Sequence, residues 1–320
     1  MDKKPLGLNN HLSAEVVYDI SRCFSLWEQF SPKKSLFDLW DFRFAFYQAY
    51  QYQPHFILLR EKNEAVGLLP LWYETERKKY LWFGGWWPED NTFWVKKSEH
   101  LLAILDVCPS PACLTGIKSS ELERIAPKEE LCNFQIDDPK YVLDIGSIKS
   151  FDDYLASLKK TRRKPIKKDL ALVAKQSPEV VFDGPGDFDV LVNFSRQRFA
   201  GEQDSLKDPW YDAALEDERR VLALRNVLGA SGKNYTAKTV TVKINKKTAG
   251  VDLAAIYNGC YYALLGGYNL KEFPGIGNYF NMLNIKEAIS LDLKQVDALQ
   301  GDCSWKHRWY KEEPFYYYEK

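Results

Sequence analysis

Nothing in this 320-residue chain approaches 18 consecutive apolar residues, so no membrane-spanning helix is expected. Neither sign of charge is in excess: 44 Lys and Arg stand against 44 Asp and Glu. A general electrostatic pull toward nucleic acid or a membrane surface is therefore not expected. The six cysteines, Cys23, Cys108, Cys113, Cys132, Cys260 and Cys303, form no CxxC pair, and only four histidines could assist them. No metal is expected from that set, and scattered thiols fit a reduced, cytoplasmic setting. The opening MDKKPLGLNNHLSAEVV has basic residues but no apolar stretch behind them, so it is not read as a signal peptide. GxSxG, HExxH, a Walker sequence and a six-residue dinucleotide fingerprint are all missing, and the scattered histidines support no Ser-His-Asp triad.

Aromatic residues are plentiful. Ten Trp are present in a chain that is 45% apolar and 28% charged, a composition able to build one large core or two modest ones. Large aromatics fill cores, and they also stack on sugars and bases.

Periodicity divides the chain. Ser35 caps an expected helix whose stripe is Leu36, Leu39, Trp40, Phe44 and Tyr47. Strands are expected at 56–61, 64–74 and 78–85, then a mixed region from Glu99 to about Gly146 that closes with a strand at 141–145. A second part starts at Ser150, where Ser150 and Asp153 have capping-box spacing. Pro165 is expected to open a fresh helix. After it come a strand at 178–182, a helix carrying Phe188, Leu191, Val192 and Phe199 on one face, and a helix from about Pro209 to Leu228. Strands at 235–244, 249–257 and 260–268 follow, turned at Lys246-Lys247 and Asn258-Gly259. A glycine loop leads into a helix to about Ser290, then strands at 295–300 and 314–319. The fold class is α+β, mostly antiparallel sheets flanked by helices, with domains at 1–148 and 149–320.

Five stretches could carry chemistry. FPGIGNYF (273–280) sets two glycines where a strand yields to a helix, which brings backbone amides and a helix N-terminus to one anion site; a plain turn would look the same. KKTRRKPIKK (159–168) is a basic run, either a solvated face or a local phosphate patch. CYYALLGGYN (260–269) brings Tyr262 and Tyr268 near the glycine loop, and a Tyr hydroxyl can act as a general acid toward a leaving thiolate. QGDCSWKHRWYK (300–311), with Asp297 just before it, offers Asp302 and Asp297 as proton acceptors and Lys306 as a cation for developing negative charge, or else a cap whose Trp305 and Trp309 fill the core. WFGGWWPEDNTFW (82–94) sets Trp86 and Trp87 in a platform for a sugar or peptide acceptor, or in a loop packed between two lobes.

Together LASLKKTRRKPIKK, YNLKEFPGIGNYFNMLNIKEAI and VDALQGDCSWKHRWYKEE resemble the acetyltransferase branch of the GNAT superfamily, which is related to Fem-type peptidyltransferases and to exopolysaccharide-associated proteins. FILLREKNEAVGLLPLWYE resembles the strand pair of that family's first half. The resemblance implies two GNAT-like lobes and an N-acyltransferase that moves an acyl group from acetyl-CoA or another acyl-CoA to an amine by direct attack. It implies a pyrophosphate loop at Pro274, Gly275, Gly277 and Asn278, helped by Arg162 and Arg163. Amides around Leu264 and Leu265 would polarise the thioester, and Lys306 would lie near the donor. The acceptor is expected to be an amino sugar or cell-surface precursor. An aminoacyl-tRNA donor is the alternative, although no long coiled-coil arm is present, and a non-catalytic glycan- or protein-binding module is the third. Trp305 stands where the family has Tyr, and no single carboxylate or His is fixed as the general base.

Overall fold

A computed structural model describes residues 6–7, 11–85, 87–126, 128–182, 187–199 and 215–320. The chain divides into two compact units, Met1–Lys140 with Glu313–Lys320, and Tyr141–Glu312. The boundary expected at 148/149 compares with 140/141 here, and the last residues return to the first unit.

The first unit begins with strands β1 (Leu6–Gly7) and β2 (Leu12–Val17), neither of them foreseen, and helix α1 (Ile20–Phe30). Asp19 caps α1 by accepting from the Arg22 amide at 2.8 Å. Ser35 does carry a capping box, but it closes only a short 3-10 turn, Leu36–Asp38. The helix proper, α2 (Trp40–Tyr50), starts one turn later, because Leu39 is extended (φ −79°, ψ 132°). The remaining elements are β3 (Gln53–Glu61), β4 (Glu64–Glu74), β5 (Lys79–Trp82), β6 (Trp94–Val95), α3 (Ser98–Val107), β7 (Cys113–Lys118) and α4 (Ser119–Ile125). One antiparallel sheet runs β1-β2-β3-β4-β5, with β6 added to β4. Lys62 and Asn63, both at positive φ, make the tight β3–β4 turn. The expected strand 78–85 stops at Trp82 because Gly84 and Gly85 turn to φ 96° and 85°. Trp27, Trp40, Trp72, Trp82 and Trp94 are all buried, with Phe37, Phe42, Phe56 and Phe83 among them, so most of the tryptophan here is core.

The second unit takes up strand β8 (Gln135–Asp144) at Tyr141 and continues through α5 (Phe151–Ser157), α6 (Lys160–Ala174), β9 (Glu179–Phe182), α7 (Phe188–Phe199) and α8 (Glu218–Gly229). It ends with β10 (Thr236–Ile244), β11 (Lys247–Tyr257), β12 (Cys260–Tyr268), α9 (Ile276–Ser290), β13 (Gln295–Gln300) and α10 (Lys306–Trp309). Its strands lie in the order β8-β13-β12-β11-β10-β9. The expected order β-α-α-β-β-β-α-β with a short closing helix is present. The Asn258-Gly259 hairpin turn falls where expected; its partner turn sits at Asn245-Lys246, one residue early. The part of the expected 209–228 helix before residue 215 lies outside the described residues. Pro165 does not open a helix; α6 starts at Lys160 and runs through it. The missing amide leaves only the Thr161 carbonyl without its helical donor, and Thr161 is exposed, so water can serve it. The final strand, β14 (Lys311–Glu319), pairs with β7 inside the first unit, Phe315 opposite Lys118 and Glu319 opposite Cys113.

Candidate active site

The site is built where β12 and β13 part. Their parallel pairing covers Cys260–Gln295, Tyr261–Val296 and Tyr262–Asp297 and goes no further, so Ala263–Tyr268 has β11 on one flank and no β13 partner on the other. A β-bulge falls on that stretch. Leu253 pairs with Leu265 and Ala254 with Ala263, which leaves Leu264 as the extra residue. A bulge takes a residue out of the ladder and re-aims its backbone groups. Leu264 and Leu265, chosen from sequence for their amides, therefore flank the widened part of the sheet.

The glycine loop closes the same end. Gly275 caps α9 at φ 86°, a conformation that L side chains rarely adopt, and its missing Cβ would lie 3.1 Å from the Asp169 Cβ of α6. The Ile276 amide bonds to the Phe273 carbonyl and the Tyr279 amide to the Gly275 carbonyl. The first-turn amides of Gly277 and Asn278 have no intrahelical acceptor, and the helix end adds positive charge, so the turn is suited to a phosphate. The Asn278 side chain is spent on structure: it donates to Asp169 at 2.6 Å and accepts from Trp309 Nε1 at 2.9 Å. Arg162 is exposed and lies on the α6 stripe of Ile166, Asp169 and Val173; Arg163 lies off that stripe and reaches the Ala156 carbonyl at 3.3 Å.

Other predicted residues settle differently. The hydroxyl of the half-buried Tyr268 donates to Asp252 Oδ1 at 2.6 Å, and its ring folds back so closely that a Cβ on Gly266 would meet it. Asp297 is buried and accepts the Leu299 amide at 2.9 Å, holding Leu299 at φ 64°. Lys306 is also buried and donates to the Leu299 and Gln300 carbonyls at 3.1 and 2.7 Å, so the two residues clamp the bend that ends β13. Asp302 is the exposed carboxylate of the set. It accepts from the Tyr141 hydroxyl at 2.9 Å and meets His307 Nε2 at 2.6 Å, and those two partners hold its pKa below the ordinary value. Tyr262 is buried opposite Asp297. Trp87 is half-buried in the first unit, and Trp86 lies outside the described residues.

Sequence reasoning missed Asp252. It lies in the middle of β11, and burial pushes its carboxyl up to about 7, against hydrogen bonds from Tyr268 and from Asn284 Nδ2 at 3.0 Å. Tyr261 links Asn284 (3.1 Å) to Glu287 (3.2 Å), and Lys238 pairs with Glu287. One signal was legible: an acid inside the apolar run AGVDLAAIY, facing a helix with Asn281 and Asn284 on its buried side. His307 was passed over because only the fold joins it to Asp302 and Tyr141.

The central strands of this sheet thus part beside a bulge, with a glycine-capped helix at the opening. Residues 159–307, from α6 to α10, match the family model described as "Acetyltransferase (GNAT) domain". No curated protein matches the chain in sequence. Solved structures share the fold along most of its length. FemX is 11% identical, covering 96% of this chain and 97% of its own with a TM-score of 0.59. A tandem GNAT protein from the clavulanic acid biosynthesis pathway is 8% identical, with 96% and 98% covered and a TM-score of 0.50. The C-terminal domain of a putative lysylphosphatidylglycerol synthetase from Agrobacterium fabrum is 7% identical, with 93% and 92% covered and a TM-score of 0.54. The fold is thus α+β, with two units of mixed, mostly antiparallel strands similar to those of a tandem GNAT protein, as expected. No helix among the described residues is long and apolar enough to cross a membrane.

Proposed function

We propose that the second unit binds an acyl-CoA and transfers the acyl group to an amine. The observation that carries this is the parting of β12 from β13 beyond Tyr262–Asp297, with the Leu264 bulge on the freed strand. In this reading the pantetheine arm lies along the opening, the Gly277 and Asn278 amides take the pyrophosphate, and Arg162 supports its charge. Amides at the bulge polarise the thioester carbonyl. The amine nitrogen bonds to the carbonyl carbon, the C–S bond breaks, CoA leaves as the thiolate, and the amine's proton passes to the Asp302–His307 pair or to water. The acceptor is an amino sugar or another cell-surface precursor amine. Calorimetry with acetyl-CoA and CoA tests the donor site: micromolar binding to the wild type, lost in Gly275→Trp, is expected. No binding to either protein overturns the acyl-CoA reading.

A second reading keeps the fold and takes an aminoacyl-tRNA as donor. It is favoured by the exposed basic side chains of Lys160, Arg162, Lys164, Lys167 and Lys168 along α6. Gel retention of aminoacyl-tRNA, abolished by charge reversal at Arg162 and Arg163, is its expected result. Retention unchanged in that variant counts against it.

A further inference from the structure

The first unit holds a histidine that the acyltransferase reading does not use. His100, in the first turn of α3, is only 1% exposed, yet neither ring nitrogen has a hydrogen-bond partner. A buried polar group left in that state is destabilising. Its Nε2 points at two carboxylates, 3.6 Å from Glu61 Oε2 at the end of β3 and 4.0 Å from Glu99 Oε1. These separations are too long for hydrogen bonds. They are close to the spacing of neighbouring ligands on one ion, because ligand bonds of about 2.0–2.2 Å at a tetrahedral centre set ligand atoms roughly 3.3 Å apart.

We propose that His100, Glu61 and Glu99 form a divalent metal site, with zinc the best-matched ion and water completing its coordination. All three ligand atoms lie within 4.8 Å of one another. One imidazole with two carboxylates suits zinc, whereas magnesium and calcium favour oxygen throughout. The scaffold is firm: α3 sits so tightly on β4 that a Cβ on Gly67 would lie 2.9 Å from Ile104. The site pins the end of β3 to the start of α3. Lys97 Nζ now lies 3.1 Å from Glu99 and 3.9 Å from Glu61, on an exposed side chain that swings aside when a metal enters. Sequence inspection does not find the trio, because Glu61 is distant along the chain and no cysteine takes part.

The test is titration of metal-stripped, full-length protein with zinc chloride at neutral pH, followed by calorimetry and thermal melting. One equivalent bound, with a raised Tm, is expected. His100→Gln and Glu61→Gln should each weaken binding roughly tenfold or more, and Lys97→Ala should tighten it by removing a competing cation. Absence of both heat and Tm shift in the wild type overturns the site. So does undiminished binding in His100→Gln, which would place the ion elsewhere, such as on exposed Cys132 or the Asp302–His307 pair. If His100→Gln does not fold, Glu99→Gln, on an exposed side chain, decides in the same way.

Discussion

Asp252 makes stability depend on pH. Its folded pKa of about 7 lies above the ordinary aspartate value of 3.8, because burial penalises the charged form. The folded state therefore holds a proton that the unfolded state has lost between those values. The contribution is fully present below about pH 4, declines as pH rises through 7, and amounts to about 4 kcal/mol at most. An asparagine of the same size has no ionisable group, and its side-chain oxygen can still accept from Asn284. Urea unfolding at pH 5 and pH 8 should thus show a large drop for the wild type and a much smaller one for Asp252→Asn; equal drops would mean that another group carries the dependence. Lys306 makes a different prediction. Its ammonium serves two carbonyls at the bend after β13. Lys306→Met should cost about 2 kcal/mol in chemical denaturation, since buried carbonyls lose a charged donor. Unchanged stability would show that the bend stands without it.

The α9 entry gives a matched pair of glycines. Gly275 sits at φ 86° with Asp169 crowding its Cβ position, whereas Gly277 is inside the helix and a Cβ there would meet Tyr268 only at 3.7 Å. Gly275→Ala should lower stability by about 1–2 kcal/mol. Gly277→Ala should raise it by about 0.5–1 kcal/mol through helix propensity. Thermal melts of the two variants shifting in the same direction would contradict this geometry. Elements defined by local pattern were readable from the sequence: β12 and β13 occupy their expected residues, and Asn258-Gly259 turns as its chemistry dictates. The glycine loop was readable for the same reason. What depends on a partner strand was not. The Leu264 bulge exists only in the register with β11, and the Tyr141–Asp302–His307 contact joins residues about 160 apart in sequence. Pro165 misled because a proline's cost depends on the exposure of one carbonyl, which the sequence does not display. β2 was missed because half-buried residues blur its alternation.

Strand β14 packs into the core of the first unit. Residues Glu313–Lys320 belong to the first unit, where Phe315 is fully buried opposite Lys118 and Lys140 lies 5.7 Å above its ring. Tyr316 and Tyr318 pack on the cluster of Leu114, Ile117 and Phe134, and the Lys320 ammonium donates to the Leu105 and Asp106 carbonyls at 2.8 Å each. The first unit is therefore assembled from residues far apart in the sequence. Phe315→Ala should cost about 3–5 kcal/mol, the range for emptying a buried aromatic site, although only a few residues follow it. Lys311→Ala, at an exposed position where the same strand begins, should cost less than about 0.5 kcal/mol. Denaturant unfolding of the two variants separates the outcomes. A small loss for Phe315→Ala would mean that the C-terminal strand frays and that the first unit closes its core without it.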